Sequence, residues 1–415
     1  MSLRVGFLSA TAVLCLAACA GDDVPSMAGK FTVPSNLPPT VVPFTLEGDQ
    51  ILVEVEVQGP TQNRKILCAL NMGHPVSGWM EHVWKETGHV PHTPAKFSVG
   101  GIPVEVASGA SAGLDDAAYP DRQLDFWFFT HQVEGAVQAG FLENFDITLD
   151  YARKTLTLAA PGTLPQDGVA VPIRVKPETG LATVDFVVDG KPYPIVIDVG
   201  GPYSFIRKSV AAEWLQTHPE WRHADGAIGP ANYLMIGQSA EEKGSLMRLD
   251  KATLGPMAIE NAGFFGVGGG MGPLGVISTE AFFDDWQKLA PEPVIGWLGA
   301  NVLKHYRITI DYKAQMSWWK KLSDIDPHEL DQVGLSLVYD KGVYSVGRIV
   351  AKDGKPTATG IEKGDKLAAI DDAPVKGWSR DQLFAALGGK LGDLHKVTVD
   401  RDGKTQTFSL PVEAF

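Results

Sequence analysis

The chain repeats itself, and this repeat constrains its fold more than any other feature. "GAVQAGFLENFDITLDY" runs from Gly135 to Tyr151 and "GWLGANVLKHYRITIDY" from Gly296 to Tyr312. Aligned without gaps, they share Gly135/Gly296, Ala139/Ala300, Leu142/Leu303, Ile147/Ile308, Thr148/Thr309, Asp150/Asp311 and Tyr151/Tyr312. Self-similarity at one long spacing means that one supersecondary unit is used twice. An earlier pair sits upstream: "ILCALNMGHPVSGWM" (Ile66 to Met80) and "PIVIDVGGPYSFI" (Pro194 to Ile206). In each, an apolar run ends on a polar residue, Asn71 or Asp198, and a glycine turn follows. Alternating strands come before them, "ILVEVEVQG" from Ile51 and "LATVDFVVDG" from Leu181. Alternation at period two gives one buried and one wet face. "KFSVGGIPVEV" (Lys96 to Val106) and "KATLGPMAIEN" (Lys251 to Asn261) add a hairpin-like pair. Residues 44–160 and 161–322 are therefore expected to form two similar β-rich lobes. At roughly 150 residues per domain, 415 residues leave room for a third unit.

That unit reads from residue 328 to 415. "SRDQLFAALGG" is an amphipathic helix, and "HKVTVDRDGKTQTFSL" a hairpin turning at Asp402-Gly403. Strands around one or two short helices make a compact α+β module. The whole is expected to be mostly β, as 45 Gly and 28 Pro also suggest.

The formal charge of −13, with no basic block, excludes a nucleic-acid partner and a broad electrostatic grip on anionic lipid. Residues 1–18 differ from the rest: Arg4, then an apolar run from Val5 to Ala18, too short for an ordinary membrane span. Residues 19–43 are rich in Pro, Ser, Gly and Asp and read as a tether. Of three cysteines, Cys15 and Cys19 lie at this end, so Cys68 is left as a small core residue with no intrachain partner.

An apolar strand, then Asp, one residue, Gly, and a turn ending in Ser resembles the active-site loop of retropepsin-like and pepsin-like aspartic peptidases. The apolar-apolar-Gly elements and Leu-x-Asp-Tyr strands extend the resemblance over most of residues 44–322. It implies two homologous β-barrel lobes around a cleft, with two carboxylates sharing one proton at a pseudo-twofold axis. One would take a proton from water while the other supplies one to the peptide carbonyl. Carried onto this chain, the catalytic positions are Asp198 and Asn71, and the loops contain Gly73, Ser77, Gly200, Gly201 and Ser204. The chain departs from the family where this matters. The Asp-Thr-Gly triplets become Asn71-Met72-Gly73 and Asp198-Val199-Gly200, and Gln138 replaces the glycine kept at Gly299. Asn71 cannot ionise, so the shared proton is lost. Without the threonine hydroxyls, the usual brace between the loops cannot form. Asn71 could still hold a water beside Asp198.

The C-terminal unit resembles a PDZ domain of bacterial envelope proteases. "GLSL" places Gly334, Leu335, Ser336 and Leu337 at the carboxylate-binding loop, whose amides would cup a peptide C-terminus while the peptide adds as a strand. "GIEKGDKLAAIDD" (Gly360 to Asp372) matches the family's glycine-aspartate turn, with Asp371-Asp372 as turn residues. "LAAC", Leu16 to Cys19, resembles the bacterial lipoprotein box, which implies acylation of Cys19 and a periplasm-facing anchor. Ala20 and Gly21 follow instead of Asp, favouring the outer membrane.

No cofactor or metal is expected. His74, His82, His89 and His92 fit no zinc spacing and read as solvated surface residues, with His74 placed to face the cleft. "FFGVGGGMGPLG" (Phe264 to Gly275) lacks the lysine of a phosphate loop and reads as a mobile cleft loop. "DFWFFTHQ" (Asp125 to Gln132) reads as core of the first lobe. Three functions compete: a degenerate peptidase-like protein binding peptides or unfolded protein; an active endopeptidase of envelope quality control using Asp198; and an assembly lipoprotein using only its PDZ groove.

Overall fold

The computed structural model describes residues 26–108, 111–114, 130–235, 239–271 and 277–415. Cys19, the aromatic stretch 125–129 and residues 272–276 of the glycine-rich run lie outside them. Strand is the prevailing regular structure of the described chain and helix is scarce, as expected. The first sheet is built on Gln50–Gln58 and Arg64–Asn71, antiparallel with Leu52 opposite Ala69. Ile66, Cys68 and Leu70 alternate inward along Arg64–Asn71. Cys68 is a free, fully buried thiol, and burial pushes its pKa up.

The repeat appears as one strand arrangement made twice. Val133–Gln138 runs parallel to Arg64–Asn71 and antiparallel to Ser77–Met80. Gly296–Leu298 runs parallel to Lys191–Ile197 and antiparallel to Phe205–Arg207. In each lobe the late glycine-bearing strand is thus inserted between the two strands that flank the polar turn. A short helix follows each, Ala139–Leu142 and Ala300–Leu303.

The copies meet in a six-stranded sheet whose central pair is Asp146–Asp150 and Tyr306–Asp311, antiparallel. Thr148 faces Thr309, its own repeat counterpart, and their hydroxyls are 2.8 Å apart. A residue paired with its own equivalent marks a local twofold axis. One apolar core runs from Met27 to Ile325 across both lobes.

Two expectations need correction. Residues 26–43 are packed, not a free tether. Met27, Phe31, Leu37 and Val42 are buried, Phe31–Thr32 pairs with Val106 and Glu105, and Thr40–Pro43 extends the six-stranded sheet beside Leu156 and Leu158. Proline-rich composition hid four spaced apolar residues, and sheet edges with open backbone groups took them up. His82 is not on the surface. It is 5% exposed, with Nε2 2.7 Å from Glu134 Oε1, and Arg64 bonds the same carboxylate at 3.2 Å. A buried carboxylate needs such partners.

The C-terminal unit forms its own sheet and apolar cluster. The helix Arg380–Leu387 starts on a capping box, Ser379 with Gln382. Asp402-Gly403 makes the hairpin turn with both residues at positive φ, 52° and 76°. Asp371 and Asp372 are also turn residues at positive φ. The hairpin Ala351–Lys352 and Lys355–Pro356 continues the second lobe's sheet, and the final Phe415 is buried beside Tyr203, Phe265 and Leu330.

Candidate functional site

Asn71 ends its strand and Asp198 follows directly on Lys191–Ile197, with the Asp198 amide donating to Leu298 O at 3.0 Å. The parallel inserted strands hold both side chains at the base of the interface between lobes. Gly73 packs on the Asp198 carboxylate: a Cβ there would sit 2.6 Å from Oδ2. Gly200 packs in the same way on the Asn71 amide, with no space for a Cβ. The two turns therefore cross reciprocally, each glycine under the other lobe's polar residue, and only glycine permits that approach.

The hydrogen bonds are not symmetric. Asp198 Oδ1 accepts the amides of Gly200 at 2.8 Å and of Met72 and Gly73 at 3.0 Å each. Among the described residues, Asn71 Oδ1 accepts within its own turn, from Gly73 N at 2.8 Å. The second lobe's acid thus braces the first lobe's loop. Sequence reasoning found the missing threonines but not this substitute, because the bonded residues are far apart in the chain. Met72 and Val199, which stand where the threonines would, are buried apolar residues.

Ser77 and Ser204 perform equal tasks. Ser77 Oγ accepts the Gln138 amide at 3.1 Å, and Ser204 Oγ accepts the Gly299 amide at 2.9 Å. Ser204 is further fixed by Asn301, whose Oδ1 takes its amide and hydroxyl. Gly201 is the looser glycine, its carbonyl accepting Ala300 N at 2.8 Å.

Asp198 is 5% exposed, and burial raises its carboxyl pKa against the pull of the three amides. His74 lies beside the turn with its ring 5.7 Å from Trp286. Its Nδ1 accepts Val76 N at 3.2 Å, and burial lowers its pKa to about 4, so it is neutral at ordinary pH. An aromatic group borders the site on the second-lobe side. Trp297 stacks on Phe205 at 4.6 Å and touches Phe282 and Trp286. Its repeat counterpart in the first lobe is Ala136, so the bulk is one-sided.

Three residues were not foreseen. Gln50 Nε2 donates to Gly200 O at 2.9 Å, and the Tyr233 hydroxyl donates to the same carbonyl at 3.4 Å. Arg380, from the C-terminal helix, donates to Gln50 Oε1 at 3.3 Å. No local pattern announces contacts between such distant positions.

In the C-terminal unit, Leu335, Ser336 and Leu337 lie on the strand Leu335–Asp340 and are buried. Gly334 sits tight against Thr357, with Phe415 beside it. Between this edge strand and the helix Arg380–Leu387, Met235 packs in one apolar cluster with Leu335, Leu337, Leu383 and Leu387.

Chemically, the lobe interface offers one ionisable carboxyl, one carboxamide and a set of committed amides. It can orient a polar group, but among the described residues no second carboxyl meets Asp198 to share a proton.

Comparison with known proteins agrees for part of the chain. No curated protein matches it. Among solved structures, the basic 7S globulin of soybean is similar over 71% of this chain and 97% of its own, at 10% identity and a TM-score of 0.39. Residues 331–412 match the model of the PDZ domain, so the chain carries a PDZ domain at its C-terminal end.

Proposed function

We propose that this chain is a peptide-binding protein of aspartic-peptidase-like build, held to the bacterial envelope by lipid on Cys19 and facing the periplasm, with an impaired catalytic pair. The PDZ domain carries the binding part of this reading, since such domains take peptide strands or protein termini. The observation that carries the impairment is the pairing of Asn71 with Asp198 across two interlocked glycine turns. A peptide carbonyl entering there would meet the Asn71 carboxamide as donor and the Asp198 carboxyl, with the neutral His74 beside them. Loss of one member of a unit that acts together costs orders of magnitude in rate.

A second reading is hydrolysis by Asp198 alone. The raised pKa of that carboxyl favours it, because a carboxyl protonated closer to neutral pH can act as an acid. One experiment separates the two. Full-length protein is incubated with unfolded casein at mildly acidic pH, and binding and cleavage are measured together. Binding without cleavage is expected; cleavage lost in Asp198→Ala would replace the first reading by the second. The anchor is tested by labelling cells with a tagged fatty acid, where Cys19→Ala should remove both label and membrane association.

A further inference from the structure

The second lobe carries extra chain between the helix Lys208–Thr217 and the strand Ser245–Leu254; the first lobe spans the equivalent gap, Thr87 to Ala95, with a short turn. Part of this extra chain, Asn232 to Met235, lies against the PDZ domain. The strand Leu335–Asp340 is an edge strand, paired on one side with Val343–Ile349. On its other side Asn232 Nδ2 donates to Leu337 O at 2.7 Å, and Tyr339 N donates to Met235 O at 2.7 Å. The segment runs in the direction of the edge strand. Met235 is 1% exposed and shares one apolar cluster with Leu335, Leu337, Leu383 and Leu387. From the helix, Arg380 donates to Tyr233 O at 3.2 Å. Glu241 accepts the amides of Leu234 at 2.6 Å and Met235 at 3.1 Å. Met235 stands at φ +50°, a conformation that a non-glycine residue keeps only when its surroundings impose it.

An edge strand and a facing helix are the two walls between which a peptide adds as a strand. Here both walls already hold part of the same chain. The residues holding it also reach the lobe interface: Arg380 bonds Tyr233 and Gln50, and Tyr233 and Gln50 both bond Gly200 O, two residues from Asp198.

We propose that Asn232–Met235 is a plug in this chain's own PDZ groove. The groove's external ligand is an internal peptide segment with an unbranched apolar side chain for the Met235 pocket, and its entry frees the Gly200 loop. An internal segment fits better than a chain terminus, because the present occupant is internal and the loop at Gly334 is packed against Thr357 and Phe415. The proposal rests on the peptide-binding reading of the PDZ domain. A ligand that must wait for the plug to leave binds with its affinity reduced by the fraction of open molecules.

The test uses the full chain and a fluorescein-labelled, C-terminally amidated peptide, Pro-Ala-Asn-Tyr-Leu-Met, followed by polarisation. Met235→Asp, which places a charge in the pocket, should bind at least about tenfold more tightly than the unaltered protein as the open fraction rises. Asn232→Ala removes one plug bond while leaving the apolar cluster around Met235 unchanged, and should gain about fivefold, the value of one net hydrogen bond. Peptide added to the unaltered protein should speed amide exchange at Val199–Ser204. Equal affinity in all three proteins overturns the plug while peptide binding by the PDZ domain stands. Binding by none overturns that reading and the proposal together. Tighter binding with unchanged exchange at Val199–Ser204 overturns the link to the lobe interface.

Discussion

Asp198 Oδ1 accepts the Met72 amide at 3.0 Å, so the acid of the second lobe is bonded to the loop of the first. The family resemblance implies hydroxyl braces between these loops. In this chain the carboxylate itself makes the bond, which removes one of its oxygens from free service as a base.

Restoring the second acid is the direct test of what Asn71 does. In Asn71→Asp two carboxyls meet across the interlocked turns, and one pKa must rise because both cannot ionise cheaply. Cleavage of unfolded casein at mildly acidic pH should rise at least about tenfold, given the cost of losing one member of such a pair. The gain should vanish in the Asn71→Asp/Asp198→Asn double variant. No gain would show that Asp198's bonds to the first-lobe amides have closed the reaction path.

Gly200 should tolerate no side chain. A Cβ there meets the Asn71 carboxamide, so Gly200→Ala should destabilise by about 1–3 kcal/mol, the usual range for overpacking. Part of that should return in Gly200→Ala/Asn71→Ala, because the carboxamide atoms at 2.4 and 2.6 Å are removed and only the Asn71 Cβ at 2.8 Å is left. Urea midpoints of the four proteins measure the coupling; simple additivity would contradict the interlocked geometry.

The hydroxyl pair at the local twofold should show the cost of orphaning a buried group. Thr309 is buried and bonded to Thr148. Thr148→Val should cost about 1–3 kcal/mol by leaving the other hydroxyl unpaired, and the double variant to valine should cost less than the sum of the singles. Thermal unfolding of the single and double variants decides this.

Glu241 sets a pH dependence. Burial pushes its carboxyl from the ordinary 4.5 up to about 7, against the amide bonds of Leu234 and Met235. Between those values the folded state binds more protons than the unfolded chain, so stability falls as pH rises. The contribution is fully present below about pH 4.5 and gone above about pH 7, a change of roughly 3 kcal/mol. Glu241→Gln keeps an acceptor and should flatten the urea-midpoint profile in this window. A profile as steep as that of the unaltered protein would remove Glu241 as its cause.

The sequence by itself determined the elements whose signals are local. Period-two alternation placed the strands, Asp402-Gly403 placed a hairpin, the amphipathic pattern of "SRDQLFAALGG" placed a helix, and the repeat placed Asn71 and Asp198 at equivalent turns. These depend on neighbours a few residues apart, where backbone sterics and side-chain periodicity act directly. Tertiary structure alone decided that Asp198 braces the loop at Met72, that Arg380 reaches Gln50, that Met235 packs among Leu335, Leu337, Leu383 and Leu387, and that His82 is buried on Glu134. It also decided that residues 26–43 pack on the body. Each joins positions that the chain must fold to bring together, and a buried polar or apolar group takes whichever partner the closed structure offers.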